Sequence, residues 1–223
     1  MRHAGYTLNT HIRIEWIDSE SLRSDNVKKT LGGLDGIIVP GGFGNRGIEG
    51  MILAAQYARE NHVPYFGICL GMQIAVIEYA RNVAKIEDAD SGEFNELCRH
   101  KVIDFMPGQS DNIDKGGTLR LGAYPCVIAE GTTMQRCYKT KEISERHRHR
   151  YEFNNDYREK LTQAGLVLSG LSPDGRLVET VELTDRPFYV GVQFHPEFKS
   201  RPNKAHPLFC GFIAAALAKR ESK

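Results

Sequence analysis

The stretch YFGICLGMQ, residues 65 to 73, sets Cys69 between Gly67 and Gly71, where an apolar strand-like run gives way to a helix-like one. That is the G-x-nucleophile-x-G form of a nucleophile elbow, in which flanking glycines permit a strained strand-to-helix turn that exposes the central side chain. A thiol there meets the positive end of the helix dipole and unpaired backbone N–H groups, both of which favour the anion. The N–H of Leu70 is placed to donate to an oxyanion. The bland alternative is a buried cysteine in a tight turn.

A sulfur nucleophile acting on an amide needs a proton donor for the departing amine, usually a histidine oriented by a carboxylate. Of the chain's eight histidines, His195 in GVQFHPEF stands at the end of a strand-like run with Glu197 two residues on. Pro196 favours an extended preceding residue, and alternate residues of an extended segment share a face, so imidazole and carboxylate can meet. In isolation this pair also reads as a loop histidine beside a solvated glutamate. A third piece, VPGGFGNRG (39 to 47), follows another apolar run. Its glycines let backbone N–H groups approach a ligand at the carboxyl end of a sheet and supply a second oxyanion donor. It is no Walker-type phosphate loop, since no G-x-x-x-x-G-K-[ST] occurs.

These residues need elements to hold them. HIRIEWI (11 to 17) alternates as a strand does, LDGIIVP (34 to 40) and VPYFGIC (63 to 69) read as buried parallel strands, and a modest helix is expected between the first two. Apolar residues from Ile48 to Ala58 recur at helical spacing, and MQIAVIEYARNVA (72 to 84) is so apolar that its helix must be buried. Strand and helix in alternation predict an α/β fold with an open, mostly parallel twisted sheet, helices on both faces, and a smaller antiparallel excursion in the glycine-rich middle, roughly 86 to 150. NNDYREKLTQAG reads as a short helix with an Asn cap and a glycine stop, LVLSGLS and LVETVEL as a hairpin around PDG, and FYVGVQF as a last strand.

The 223 residues are 41% hydrophobic and 26% charged, without linker, repeat or low-complexity tract, which predicts one domain over 1–223. Basic and acidic residues number 29 and 28, so no whole-chain field recruits nucleic acid or an anionic membrane. No apolar stretch approaches a membrane span and the first ten residues lack a signal-peptide core, which reads as cytoplasmic. Cys69, Cys98, Cys126, Cys137 and Cys210 are an odd set without a C-x-x-C pair, so reduced thiols are expected; Cys210, in an apolar C-terminal helix, reads as a core residue. ERHRHRYEF reads as a short solvated stretch. His147 and His149 lack the further ligands a metal would need.

PGGFG, GICLGMQ and FHPE, in that order, resemble the triad-type (class I) glutamine amidotransferase domains. PGGFGNRGIEGM, GICLGMQIAVIEYARNVA, GGTLRLG, ERHRHRYEFN and QFHPEF together resemble the glutaminase domains of the CTP synthase family over nearly the whole chain. The resemblance implies Cys69 as nucleophile, His195 as general acid and base, and Glu197 as its orienter. It implies oxyanion N–H groups from Gly42 and Leu70, and glutamine contacts from Gly42, Leu70, Gly71, Met72, Gln73, Glu93 and Arg150. Glu93 would face the α-ammonium and Arg150 the α-carboxylate, which a guanidinium fork matches. No cofactor is implied for this domain; ATP and Mg2+ belong to a synthetase part that the chain lacks, and homo-oligomers are implied only with that part. The family's domain also opens with a strand and helix ahead of HIRIEWI, where only ten residues stand here, so an excised or incompletely represented domain is expected. A γ-glutamyl hydrolase of the same architecture and a non-catalytic docking module remain alternatives.

Overall fold

A computed structural model describes residues 1–105 and 120–222. Among these, the order along the chain is α1 (Arg2–Thr7), α2 (Val27–Leu31), β1 (Ile37–Val39), α3 (Ile48–Glu60), β2 (Tyr65–Ile68), α4 (Leu70–Asn82), β3 (Ala89–Ser91), β4 (His100–Phe105), β5 (Arg120–Ile128) and α5 (Thr133–Tyr138). It continues through β6 (Glu142–His149), β7 (Tyr151–Phe153), α6 (Arg158–Gln163), β8 (Val167–Leu171), β9 (Val178–Glu182), β10 (Tyr189–Val192) and α7 (Pro207–Glu221).

The described strands form a seven-stranded sheet, β1-β2-β10-β9-β8-β5-β6, and a three-stranded one, β3-β4-β7. The α/β class holds, and the main sheet within it is mixed: parallel pairing joins β1, β2 and β10, while β9, β8, β5 and β6 add antiparallel. The antiparallel part thus takes in the hairpin of β8 and β9 as well as the middle of the chain. Of the glycine-rich run 114 to 125, residues up to 119, including the start of GGTLRLG, lie outside the described residues; the rest belongs to β5.

Helices cover both faces of the parallel part. Along β2 the side chains alternate, so that Tyr65 joins the cluster containing α3 and α4, while Phe66 and Ile68 join the cluster containing α7. Every residue of α4 from Leu70 to Ala80 is buried, as its apolar sequence requires. Glu78 is tolerated there because Arg59 of α3 donates to both its oxygens. α4 lies directly on the sheet backbone: a Cβ on Gly67 would stand 2.4 Å from the Gly71 carbonyl oxygen, and one on Gly191 would stand 3.0 Å from the Met72 Cα.

The expected strand at 11 to 17 is absent. Its alternation survives as burial, with Ile12 and Ile14 half-buried and His11, Arg13 and Glu15 exposed, but the segment is in none of the described ladders. Ile12 packs on the α7 cluster and Ile17 on the α3 cluster, so apolar contact accounts for the pattern without a strand. The short helix expected near 154 to 165 is α6, entered through a 3-10 turn that the Asn154 side chain caps by accepting from the Asp156 N–H. Gly165, at φ +107, ends it.

Candidate active site

Cys69 and His195 leave the sheet side by side. β2 and β10 are parallel neighbours, and the Cys69 N–H donates to the Val192 carbonyl at 2.7 Å, so the ladder continues to the cysteine itself. Cys69 then takes φ 52 and ψ −101, a strained conformation for a side chain with a Cβ, and α4 starts at the next residue. This is the elbow expected from GICLG. Strain of this kind persists only where surrounding structure holds it, here the ladder on one side and a buried helix on the other.

The His195 backbone N–H donates to the Arg146 carbonyl at 2.8 Å, and its Nδ1–H donates to Glu197 Oε1 at 2.6 Å. The pair meets differently from the extended arrangement expected: Pro196–Lys199 form a 3-10 turn, which brings the carboxylate back beneath the ring. Phe198 stacks on the imidazole with ring centroids 5.0 Å apart. Burial alone would lower the histidine's pKa, but Cys69 and Glu197 outweigh it and raise it to about 9. With Nδ1 committed to the carboxylate, Nε2 is buried without a hydrogen-bond partner, left for the sulfur or a ligand.

Gly41 shows how close the two groups come. A Cβ there would lie 2.7 Å from His195 Cε1 and 3.6 Å from the Cys69 Cβ, so imidazole and cysteine crowd one backbone atom. At Gly42 a Cβ would stand 2.9 Å from a Leu70 methyl. The glycine loop therefore lies against the start of α4, where first-turn N–H groups have no intrahelical acceptor.

Gly42, Cys69, Gln73, Glu93 and Arg150 all line one cavity of about 110 Å³. Although Cys69 is only 3% exposed, this cavity reaches it. Glu93 accepts from the Gly44 N–H at 3.0 Å. Burial raises its pKa, while that N–H and the Arg150 charge oppose the rise. Gly71 and Met72 are not brought to the cavity wall: Gly71 abuts the Val39 carbonyl and Met72 is buried against Gly191.

Tyr151 and Gln193 escaped the sequence reading, and His149 was weighed there only as a metal ligand. His149 and Tyr151 line the cavity too, and Gln193 Nε2 lies 3.6 Å from the Cys69 sulfur. Gln193 carried a signal, being a polar residue inside the apolar run FYVGVQF. Nor is ERHRHRYEF simply solvated: β6 turns Glu145, His147 and His149 inward and Arg146 and Arg148 outward. His147 Nε2 meets Glu179 at 2.7 Å, and Arg120 binds the same carboxylate. No group of side chains able to hold a metal occurs among the described residues. All five cysteines are free.

Residues 1–215 match the class-I glutamine amidotransferase family. The chain is 61% identical over 217 residues to the CTP synthase of Carboxydothermus hydrogenoformans, covering 97% of this chain and 41% of that protein. It is 57% identical over 223 residues to that of Clostridium beijerinckii, covering 100% and 42%. It thus spans about two-fifths of the length of these relatives. Among solved structures, the acivicin-bound glutaminase domain of Trypanosoma brucei CTP synthase superposes with a TM-score of 0.91 at 44% identity, over 97% of this chain and 85% of that one. A putative GMP synthase component from Thermoplasma acidophilum shares the fold, with a TM-score of 0.61 at 19% identity over 98% and 87% of the two chains. With an elbow cysteine, a carboxylate-held histidine and these similarities over nearly its whole length, the chain belongs to the class-I glutamine amidotransferase family, alongside the glutaminase domains of CTP synthases.

Proposed function

We propose that residues 1–223 work as one glutaminase domain, hydrolysing the side-chain amide of L-glutamine to glutamate and ammonia through a thioester on Cys69. The observation that carries this reading is the crowding of Cys69 and His195 around Gly41, with His195 held by Glu197. The Cys69 thiolate attacks the amide carbon, and the oxygen takes up negative charge between the N–H groups of Gly42 and Leu70. Removing one such donor typically costs about 2.7–4 kcal/mol of barrier. His195, protonated, gives its Nε2 proton to the leaving nitrogen, and ammonia departs. The neutral imidazole then takes a proton from water, which attacks the thioester and releases glutamate.

Substrate recognition falls to the cavity wall. Arg150 meets the α-carboxylate of glutamine, Glu93 its α-ammonium, and the first turn of α4 from Leu70 through Gly71 and Met72 to Gln73 the side-chain amide. For Gly71 and Met72, packed against β1 and β10, that contact is through main chain. The length of the relatives supports a larger setting, in which ammonia passes to a synthetase part that aminates UTP to CTP with ATP and Mg2+, in a homo-oligomeric assembly. Free thiols, near-balanced charge and the absence of a membrane-length apolar helix among the described residues support a cytoplasmic setting without nucleic acid or membrane partners.

Glutamate release by wild type and Cys69→Ala tests the reading. The variant is expected to be inactive and to trap no γ-glutamyl thioester; turnover at the wild-type rate would end the proposal. Assaying γ-glutamyl peptides beside free glutamine separates it from a γ-glutamyl hydrolase.

A further inference from the structure

Behind Cys69 lies a chain of buried amides that the hydrolytic steps above do not use. Gln73 Nε2 donates to the Tyr151 carbonyl at 3.0 Å and stands 3.3 Å from Gln193 Oε1. Gln193 Nε2 lies 3.6 Å from the Cys69 sulfur. Gln193 is 0% exposed and Gln73 3%. A side-chain amide can present either end to a neighbour, so what orients it has to be a group with one polarity. The Tyr151 carbonyl only accepts, which turns the Gln73 amino group toward it. That amino group also faces Gln193, which answers with its oxygen. Its own amino group is then left for the sulfur.

We infer that Gln193 is a positioning residue for the nucleophile, its N–H held on the Cys69 sulfur by the one-way relay Tyr151 carbonyl, Gln73, Gln193. As a thiol, Cys69 has a long contact of 3.9 Å to the Arg148 carbonyl, to which only S–H can donate. Loss of the proton removes that contact and strengthens the one to Gln193, because hydrogen bonds to a charged acceptor are the stronger kind. The relay therefore favours the sulfur anion and draws it toward β10. It also ties the nucleophile to β7, next to Arg150, so the reactive atom and the amino-acid end of the cavity share one set of hydrogen bonds. The other ionisable groups around the sulfur are His195 with Glu197 at the end of β10, His149 of β6, and Arg150 and Glu93 on the cavity wall.

The inference rests on Cys69 being the nucleophile, so its test reads sulfur ionisation apart from turnover. Iodoacetamide alkylation of Cys69, followed by peptide mass spectrometry against pH, gives a midpoint for wild type, Gln193→Met and Gln193→Glu. Methionine removes the donor at similar volume. Glutamate keeps an acceptor for Gln73 but sets a carboxylate against the sulfur. Both midpoints are expected to move up, by about one pH unit or more, with glutamate giving the larger shift. Gln73→Leu, which frees Gln193 to turn over, should give a smaller upward shift. Unchanged midpoints in variants whose melting shows them folded would overturn the inference while leaving the glutaminase reading intact. An active Cys69→Ala would instead remove that reading. Should neither Gln193 variant fold, Gln73→Leu decides: a wild-type midpoint there overturns the relay.

Discussion

Gly41 and His195 are in contact to the exclusion of even a methyl group: a Cβ on residue 41 would sit 2.7 Å from the imidazole Cε1. Gly41→Ala should therefore push the ring off its line between Glu197 and Cys69. A misplacement of about 1 Å in such a site costs on the order of 10²-fold in rate. Because residue 41 is on an exposed loop, thermal stability should change little. Steady-state glutaminase kinetics beside a melting curve check both halves, and a fully active variant would show that the ring has slack.

On the proposed mechanism, Cys69 and Glu197 together set the alkaline limit of activity. The imidazolium that would give its proton to the leaving nitrogen persists until pH passes about 9, because Cys69 and Glu197 outweigh the effect of burial. Glu197→Gln should bring the descending limb of the kcat/KM profile down by a unit or more and cut the rate by about 10²–10⁴-fold. The sign for stability follows. A histidine whose folded pKa lies above its ordinary 6.5 stabilises the fold fully below that value and loses the contribution as pH rises through about 9. A pH profile whose upper limb does not respond to Glu197→Gln would contradict this assignment.

Glu152 moves stability with pH in the same direction, over a lower range. It is buried in β7, both its oxygens lack a hydrogen-bond partner, and burial pushes its pKa to about 7, with Arg120 opposing and Glu179 reinforcing the rise. Between about 4.5 and 7 the folded chain keeps a proton that the unfolded chain releases, so stability falls as pH rises through that window. Glu152→Gln should remove most of this slope and be more stable than wild type at pH 8 by about 1–3 kcal/mol. Urea midpoints at pH 5 and pH 8 measure it, and an unaltered slope would show another group to be responsible.

The five free thiols should not react alike. Burial holds Cys126 at about 12 and Cys137 at about 11 and also raises Cys98 and Cys210, whereas Cys69 opens onto the cavity. One equivalent of a glutamine-like electrophile at pH 8 should label Cys69 alone, and saturating glutamine should protect it. Equal labelling at two or more cysteines, counted by peptide mapping, would contradict this.

What could be read in advance follows how each feature is encoded. The elbow at Cys69 and the partnership of His195 with Glu197 depend on residue types a few positions apart, so the sequence displays them. The ladder around 11 to 17 depends on a partner strand that no property of HIRIEWI supplies, so its alternation misleads. The inward turn of Glu145, His147 and His149 became visible only once β5 lay beside β6 and Glu179 of β9 faced His147. Gln193 was legible as an oddity within an apolar strand, but its purpose depended on a sulfur and a second amide brought in from 124 and 120 residues away.

The parallel pairing of β2 with β10 has a bearing on control. Sulfur and imidazole are moored to adjacent strands, with the Cys69 N–H itself in the ladder, so parting them would mean tearing the sheet between two of its parallel strands. The glycine loop is fastened to the far wall of the cavity more lightly, through one exposed bond from the Gly44 N–H to Glu93. Lifting the loop from that wall forfeits this bond, worth about 1 kcal/mol, and leaves the cysteine and histidine anchored where they are.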